Sequence, residues 1–260
     1  MKIDLENLVD RIADRVSGRA PWKDIMEDEP GLVEAEAYSV QAGLMRRRIA
    51  EGETVIGYKA AYTSAAIQAQ RGNGGPIAGA ILRSAHLPES APIAIVPNSR
   101  NAVEPEVAIL LGADLPGPRV TPLDVLRATE ALLPAIEVAV GAPGNVERTR
   151  HMVIATHKTA GSIVVGGPGL SPAGIDLRVE GCVMSINGEV RGSATGVEVM
   201  GDPYNAAAFI ANTVLANGDM LRAGMILMTG SIIAAIPISA GDDVRVDFTR
   251  LGSVGIRFAA

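Results

Sequence analysis

Val103-Glu104-Pro105-Glu106-Val107-Ala108-Ile109-Leu110-Leu111 is built mostly of strand-favouring residues, yet it carries two acids. Side chains alternate across a strand, so Glu104 and Glu106 point to the same side, ~7 Å apart along it. Ala108 and Leu110 continue that face, which places the carboxylates on a largely apolar surface. Two unpaired carboxylates there would repel each other and be costly to desolvate, so a positive charge belongs between them. Glu137 has a similar setting within Leu132-Leu133-Pro134-Ala135-Ile136-Glu137-Val138-Ala139-Val140. Three carboxylates converging on one point make a site for a hard divalent cation, Mg²⁺ or Mn²⁺.

Composition narrows what surrounds that site. The 260 residues suffice for one large domain, or one domain with a small appendage. Because 48% of residues are hydrophobic but only 3% aromatic, the core must be aliphatic. Twenty-nine glycines and 16 prolines fit turns and short strands better than a helical bundle. A net charge of −6 argues against a nucleic-acid partner, which needs a basic face. The one basic run, Arg46-Arg47-Arg48, reads as a solvated or salt-bridging helix face. Cys182 is alone, so no intrachain disulfide forms, which suits a reducing cytosol. Acids at Asp4 and Glu6 interrupt any signal-peptide apolar stretch. The longest uncharged run, 223–241, contains Gly224, Gly230 and Pro237; it reads as two buried strands joined by a tight Thr229-Gly230-Ser231 turn rather than a membrane helix. A soluble, cytoplasmic protein without a membrane partner is expected.

Along the chain, Leu5, Leu8, Val9, Ile12, Ala13 and Val16 form a helical stripe within residues 1–17. A loop with Pro21 and Trp22 precedes a second helical segment, about 32–51. Residues 54–62 are strand-like and end in Thr63-Ser64, an N-cap for a short helix through Gln70. The glycine-rich 71–76 lacks the strand–turn–helix setting of a phosphate loop and reads as a hinge or lid. Thr121-Pro122 opens a helix predicted to run to about Leu133. Strands are predicted over 162–165, 178–187, 244–248 and 252–258, with a hairpin turn at Asn187-Gly188. Pro203 to Leu215 is the clearest late helix. Helices and strands mix without βαβ regularity, which predicts an α+β domain on a largely antiparallel or mixed sheet.

A three-carboxylate site leaves about three of six positions open on an octahedral ion. A 2-oxo acid fills two of them through a carboxylate oxygen and the keto oxygen, and the cation then polarises the keto group toward an enolate. Enolate formation is common to hydrating an unsaturated 2-oxo acid, releasing CO₂ beside such a group, and cleaving an acylpyruvate. Lys59, among apolar neighbours in Gly57-Tyr58-Lys59-Ala60-Ala61, is the candidate counter-charge. The alternative is a strand-end lysine with its head in water. Thr229, Gly230 and Ser231 offer backbone N–H groups and two hydroxyls for a substrate carboxylate, or form an ordinary turn.

The order Gly-Tyr-Lys (57–59), Glu-Pro-Glu-Val (104–107), Leu-Pro-Ala-Ile-Glu (133–137), Gly-Asp-Pro-Tyr-Asn-Ala-Ala-Ala (201–208) and Met-Thr-Gly-Ser…Gly-Asp-Asp…Leu-Gly-Ser-Val (228–254) resembles the 2-oxopent-4-enoate hydratase/4-oxalocrotonate decarboxylase family of the fumarylacetoacetate hydrolase superfamily. The resemblance runs from about residue 30 to the C-terminus. It implies a mixed β-roll or sandwich with peripheral helices: a catalytic β-roll domain over 53–260 behind an N-terminal helical segment, 1–52. It also implies a Mg²⁺ or Mn²⁺ ion, a small-molecule 2-oxo acid substrate from aromatic-compound catabolism, and a homo-oligomer. It assigns Glu104, Glu106 and Glu137 as metal ligands, Lys59 as the active-site lysine, and Thr229 to Ser231 as substrate contacts.

Two departures bear on the reaction. Hydratases of this family carry an acid in a Pro-Asp-x-Gly motif, where this chain has Pro76-Ile77-Ala78-Gly79; decarboxylases look similar here, which tilts the expectation toward them. The usual Ala-Asp-Asn is replaced by Ala155-Thr156-His157-Lys158. His157 is a candidate acid–base residue; the alternative is a histidine that merely bonds a strand end. Three functions stay open: a metal-dependent decarboxylase or hydratase, an acylpyruvate C–C hydrolase using His157, and a non-catalytic metal-binding scaffold subunit.

Overall fold

The computed structural model describes residues 3–70, 74–156 and 161–260. In chain order the elements are α1 (Leu5–Val16), α2 (Ile25–Asp28), α3 (Glu34–Ala50), β1 (Val55–Ala61), α4 (Ala65–Gln70), β2 (Ile77–Leu82), β3 (Asn101–Leu111), α5 (Pro122–Ala128), β4 (Thr129–Val140), α6 (Arg150–Thr156) and β5 (Ser162–Val165). They continue as β6 (Gly181–Ile186), β7 (Glu189–Thr195), α7 (Pro203–Ala216), β8 (Ile226–Ser231), β9 (Ile236–Pro237), β10 (Asp243–Phe248) and β11 (Ser253–Arg257).

A seven-stranded sheet runs β2-β1-β8-β3-β4-β5, with β9 also paired to β3; a four-stranded sheet runs β11-β10-β6-β7. Among the described strand pairs only β1 and β8 run parallel, so the mixed, mainly antiparallel α+β architecture is as expected. Alternation divides the labour of each central strand. Val103, Val107, Ile109 and Leu111 face the main core with Leu132, Ile136 and Val138 of β4. That core is completed by Ala207, Ile210 and Ala211 of α7 and by Met184, Val246 and Val254 of the small sheet. The other face carries Glu104, Glu106 and a smaller patch that includes Ala108, Ala135, Ile163 and Met228.

A third apolar cluster joins Leu8, Val9 and Ile12 of α1 to Val40 and Leu44 of α3, Met152 and Val153 of α6, and Ile77 of β2. Polar ties pin α6 in place. Asp24 accepts from the Thr149 N–H and hydroxyl at 2.9 and 2.7 Å. Arg150 pairs with Glu34 at 2.8 Å and donates to the Gly75 and Pro76 carbonyls at 2.7 and 3.0 Å. Among the described residues, no helix is long and apolar enough to cross a membrane.

Three local expectations need correction. The helix opened by Thr121 and Pro122 stops at Ala128, not near Leu133. Residues 129–133 join β4, because Ala131 to Leu133 pair with Ile109 to Leu110 and their neighbours; cross-strand pairing overrides helix propensity. Thr229-Gly230-Ser231 is not a turn between two strands but the end of β8 itself, with four residues between it and β9. The apolar Ile77–Leu82 forms an unforeseen strand, β2, paired with β1. Residues 71–73 of the proposed hinge lie outside the described residues.

Gly57 is where β1 comes closest to its parallel neighbour: a Cβ there would run into the Ile226 carbonyl oxygen. Backbone cannot yield as a flexible side chain does. Gly57→Ala should therefore cost about 3 kcal/mol of stability in urea unfolding, at the upper end for overpacking. A loss within error of zero would show that β1 and β8 can separate there.

Candidate metal centre

β3 and β4 pair without interruption from Asn101↔Val140 to Leu110↔Ala131, so Glu104 and Glu137 stand directly opposite each other. Glu106 lies two residues on along the same face. One oxygen from each of the three glutamates falls within 4.8 Å of the others. Glu106 and Glu137 are 0% and 1% exposed, whereas Glu104 is partly open. The three predicted acids are thus brought together.

Lys59 joins them. It is 2% exposed, and its Nζ donates to Glu137 Oε1 at 2.5 Å. It is not a strand-end lysine reaching water. The remaining oxygens are only partly served. Gly230 N–H donates to Glu106 Oε2 at 2.8 Å, while Glu106 Oε1 and Glu137 Oε2 are buried with no hydrogen-bond partner among the described residues. Orphaned buried carboxylate oxygens are expensive. Three carboxylates against one ammonium leave two negative charges, which one divalent cation offsets. An all-oxygen, anionic donor set fits a hard ion.

The electrostatics show the same strain. Burial, then the charge of Glu137, pushes the Glu104 carboxyl up to about 7, against the pull of Lys59. Burial, followed by Glu137 and Glu104, raises Glu106 well above the usual carboxylate range; Lys59 and the Gly230 N–H oppose this. Glu137 is also raised by burial, with Lys59 opposing. Without a cation, these groups hold protons that ordinary carboxylates release.

The β8 end sits beside this cluster, with Ser231 in register with Glu106. Its polar groups are engaged within the protein. The Thr229 hydroxyl donates to the Val107 carbonyl at 2.9 Å, and the Ser231 hydroxyl bonds the Ile233 carbonyl. Gly230 has φ +101°, and a Cβ there would fall on the Thr63 hydroxyl. Thr63 is a neighbour that no sequence motif indicated. His157 lies outside the described residues.

Helices close the site from the other side. Gln41 of α3 and Val153 of α6 line a small void with Lys59, Ala61, Ile77 and Gly79. The Gln41 amide donates to the Ile154 carbonyl at 2.7 Å and the Ala78 carbonyl at 3.3 Å, tying α6 to β2 beside the lysine. A glutamine in the otherwise apolar buried stripe Ala37, Val40, Leu44 was the available signal for it.

Residues 54–259 match the family described as fumarylacetoacetate hydrolase, C-terminal. The chain is 33% identical over 234 residues to a 4-oxalocrotonate decarboxylase of Pseudomonas sp. strain CF600, covering 90% of this chain and 89% of that one. It is 32% identical over 241 residues to a 2-oxo-hept-4-ene-1,7-dioate hydratase of Escherichia coli, covering 89% of each. The structure of a 4-oxalocrotonate decarboxylase from Pseudomonas putida G7, complexed with magnesium and adipate, superposes with a TM-score of 0.90 at 31% identity, over 98% of this chain and 97% of that one.

The raised carboxyls set a pH dependence. Their folded pKa values lie above the unfolded value, so the folded, metal-free chain binds the extra protons. Its stability is therefore lost as pH rises from about 4.5 through about 7. A cation held by these acids would bind their deprotonated form, so millimolar Mg²⁺ should raise the melting temperature more at pH 8 than at pH 6. An equal rise at both pH values would show that the cation does not compete with these protons.

Proposed function

The chain belongs to the fumarylacetoacetate hydrolase family, and we propose that it is a divalent-metal-dependent lyase that decarboxylates or hydrates an unsaturated 2-oxo acid. The observation that carries this reading is the buried cluster Glu104, Glu106 and Glu137 with Lys59, two charges short of neutrality and with two unserved oxygens. In this reading the three glutamates hold Mg²⁺, or Mn²⁺ as the alternative, since both are hard octahedral ions that keep positions open for substrate. When bound, the cation supplies Lewis-acid polarisation of the 2-oxo group.

The chain's own residues supply the rest. The Gly230 N–H fixes one Glu106 oxygen, which aims the other into the cluster. Lys59 is held by Glu137 rather than by solvent, so its remaining donors are positioned for negative charge developing on substrate. Val153 and Gln41 close the lysine side against water, which strengthens those interactions. The end of β8, Thr229 to Ser231, flanks the cluster and is assigned the substrate's C1 carboxylate; binding there would exchange the present internal hydroxyl bonds for substrate bonds.

Decarboxylation is favoured over hydration. Hydration needs a group that moves a proton at the substrate's distal carbons. The position where hydratases of this resemblance carry an acid is Ile77, opposite Ala61 and buried among the helices. Release of CO₂ needs no activated water, only a sink for the electron pair of the broken C–C bond. The hydrolase reading depends on His157, and nothing in the described site favours it.

Incubation with Mg²⁺ and a panel of unsaturated 2-oxo mono- and diacids, with products followed by NMR, should show CO₂ release and no stable hydrate. Glu106→Gln keeps the shape but removes a charge. It should lower turnover by about 10³-fold, corresponding to several kcal/mol of lost cation stabilisation, while leaving the circular dichroism spectrum unchanged. Full turnover in chelator-treated, metal-free buffer would overturn the proposal.

A further inference from the structure

β2 is the terminal strand of the seven-stranded sheet, so one of its edges has no partner strand. α3 covers part of that edge. The Ala78 N–H donates to the Tyr38 hydroxyl oxygen at 3.2 Å, and the Gln41 amide donates to the Ala78 carbonyl at 3.3 Å. Backbone groups alternate sides along an antiparallel strand. Ala80, two residues on and opposite Tyr58 of β1, therefore turns its N–H and carbonyl toward the same edge. Ala80 is 2% exposed, and neither group has a hydrogen-bond partner among the described residues. Buried backbone groups are nearly always paired, and an orphaned N–H is the rarer of the two exceptions.

That edge faces a cavity of about 290 Å³ between α3 and α7, walled by Tyr38, Ala42, Met45, Tyr58, Ala80 and Val214. Among the described lining residues one carboxylate and one cation remain to be placed. Asp219 is engaged already, accepting from the Tyr58 hydroxyl at 2.8 Å and from Arg222 at 3.0 Å. Arg46 is not. The basic run divides here: Arg47 pairs with Asp10 and Arg48 with Glu53, whereas Arg46 is exposed and has no ion pair or hydrogen bond among the described residues. The cavity thus offers apolar walls, one uncompensated positive charge and one buried backbone donor. Gln41 and Ala78 line it and also line the void beside Lys59, so it lies directly behind the lysine.

We propose that this cavity is a second ligand site, separate from the metal centre, that takes a small aromatic carboxylate. Two donors without acceptors call for an anion, and a guanidinium offers a fork matched to a carboxylate. The rings of Tyr38 and Tyr58 and the thioether of Met45 favour an aromatic body. A volume near the lower end for ligand pockets, about 300 Å³, suits a single ring and its carboxylate. The occupant packs against Tyr38 and Gln41, the two side chains that hold Ala78, and so braces the wall of the Lys59 void from behind.

The test is calorimetric titration of the Mg²⁺-loaded protein with benzoate, which should fill one site with a Kd on the order of 1 mM or tighter. Benzyl alcohol has the ring without the charge, and acetate the charge without the ring; each should bind about tenfold more weakly or not at all. Arg46→Ala should weaken benzoate about tenfold and leave benzyl alcohol unchanged. Ala42→Phe, which fills the cavity from α3, should abolish benzoate binding, and both variants should melt normally and take up Mg²⁺ as before. Saturating oxalate, a bidentate ligand for the cation, should leave benzoate binding intact. Displacement of benzoate by oxalate would place it on the cation and overturn the inference. So would benzoate affinity that survives Ala42→Phe, or a native chain that does not bind benzoate. A native dimer that Ala42→Phe dissociates in sedimentation would assign the cavity to a second copy of the chain and overturn it as well. None of these results bears on the reading of the metal cluster, which the inference does not use.

Discussion

Burying three carboxylates around one ammonium is the constraint on which the rest of this structure depends. Fully ionised, the group is two negative charges out of balance, and two of its oxygens have no partner among the described residues. Such a cluster survives only on a scaffold rigid enough that the acids cannot swing to water. The central sheet provides that scaffold. β3 and β4 are long, uninterrupted over the site and braced by β8, so the rung Glu104↔Glu137 is set by backbone hydrogen bonds rather than by side-chain choice. The helices add the second requirement, a dry lid over Lys59 through Gln41 and Val153. Charge frustration and rigidity are two sides of one arrangement, in which folding keeps together what electrostatics would separate.

Much of this was legible from residues. Period-two alternation in 103–111 placed Glu104 and Glu106 on one face, and the strand-like surroundings of Glu137 brought in the third acid. Thr121-Pro122 marked a helix start and Asn187-Gly188 a hairpin turn through local chemistry alone, and the helix expected from Pro203 is present. The failures share a cause: each element there is decided by a distant partner. Residues 129–133 carry an acceptable helix pattern, but Ile109 and its neighbours require a strand opposite them. Thr229-Gly230-Ser231 has turn composition. Its glycine is nevertheless spent on strand-end geometry, where the Thr63 hydroxyl occupies the Cβ position and Glu106 needs the N–H. The run Ile77–Leu82 is buried on both faces, so it shows no period to read. Gln41 and Thr63 reach the site only through tertiary packing, from α3 and from the loop after β1.

The prolines in the two acid-bearing strands illustrate how local rules bend around the site. Pro105 and Pro134 lie within the central sheet, where a residue without an N–H is normally excluded. Pro105 sits where the pairing of β3 passes from β8 at Ser231 to β9 at Ile236, so no ladder bond from its nitrogen is missed on that side. Its carbonyl still accepts from Ile232 N–H at 2.9 Å, and Pro134 likewise accepts from Gly166 N–H at 2.9 Å. Each proline stands where one neighbouring strand ends or shifts. Glu104 and Glu106 lie on β3 where its edge toward β8 and β9 changes partner, whereas Glu137 is regularly paired on both sides, with β3 and with β5.

The two faces of β3 and β4 therefore carry different burdens. Val103, Val107 and Ile109, with Leu132, Ile136 and Val138, hold the sandwich together and contribute nothing to the chemistry. Glu104, Glu106 and Glu137 oppose cohesion electrostatically, since burial and their mutual repulsion raise their carboxyls. Because neighbouring residues in a strand face opposite ways, a one-residue slip would exchange these roles along the whole strand, removing the core and the site together. That coupling explains why the register is defended on both edges of β3, by β4 along its full length and by β8 and β9 in turn. It also leaves the outer rungs free to vary. Beyond Glu104 the face passes from buried Ala102 to the exposed Arg100, so the outermost rung can change without disturbing the buried charges.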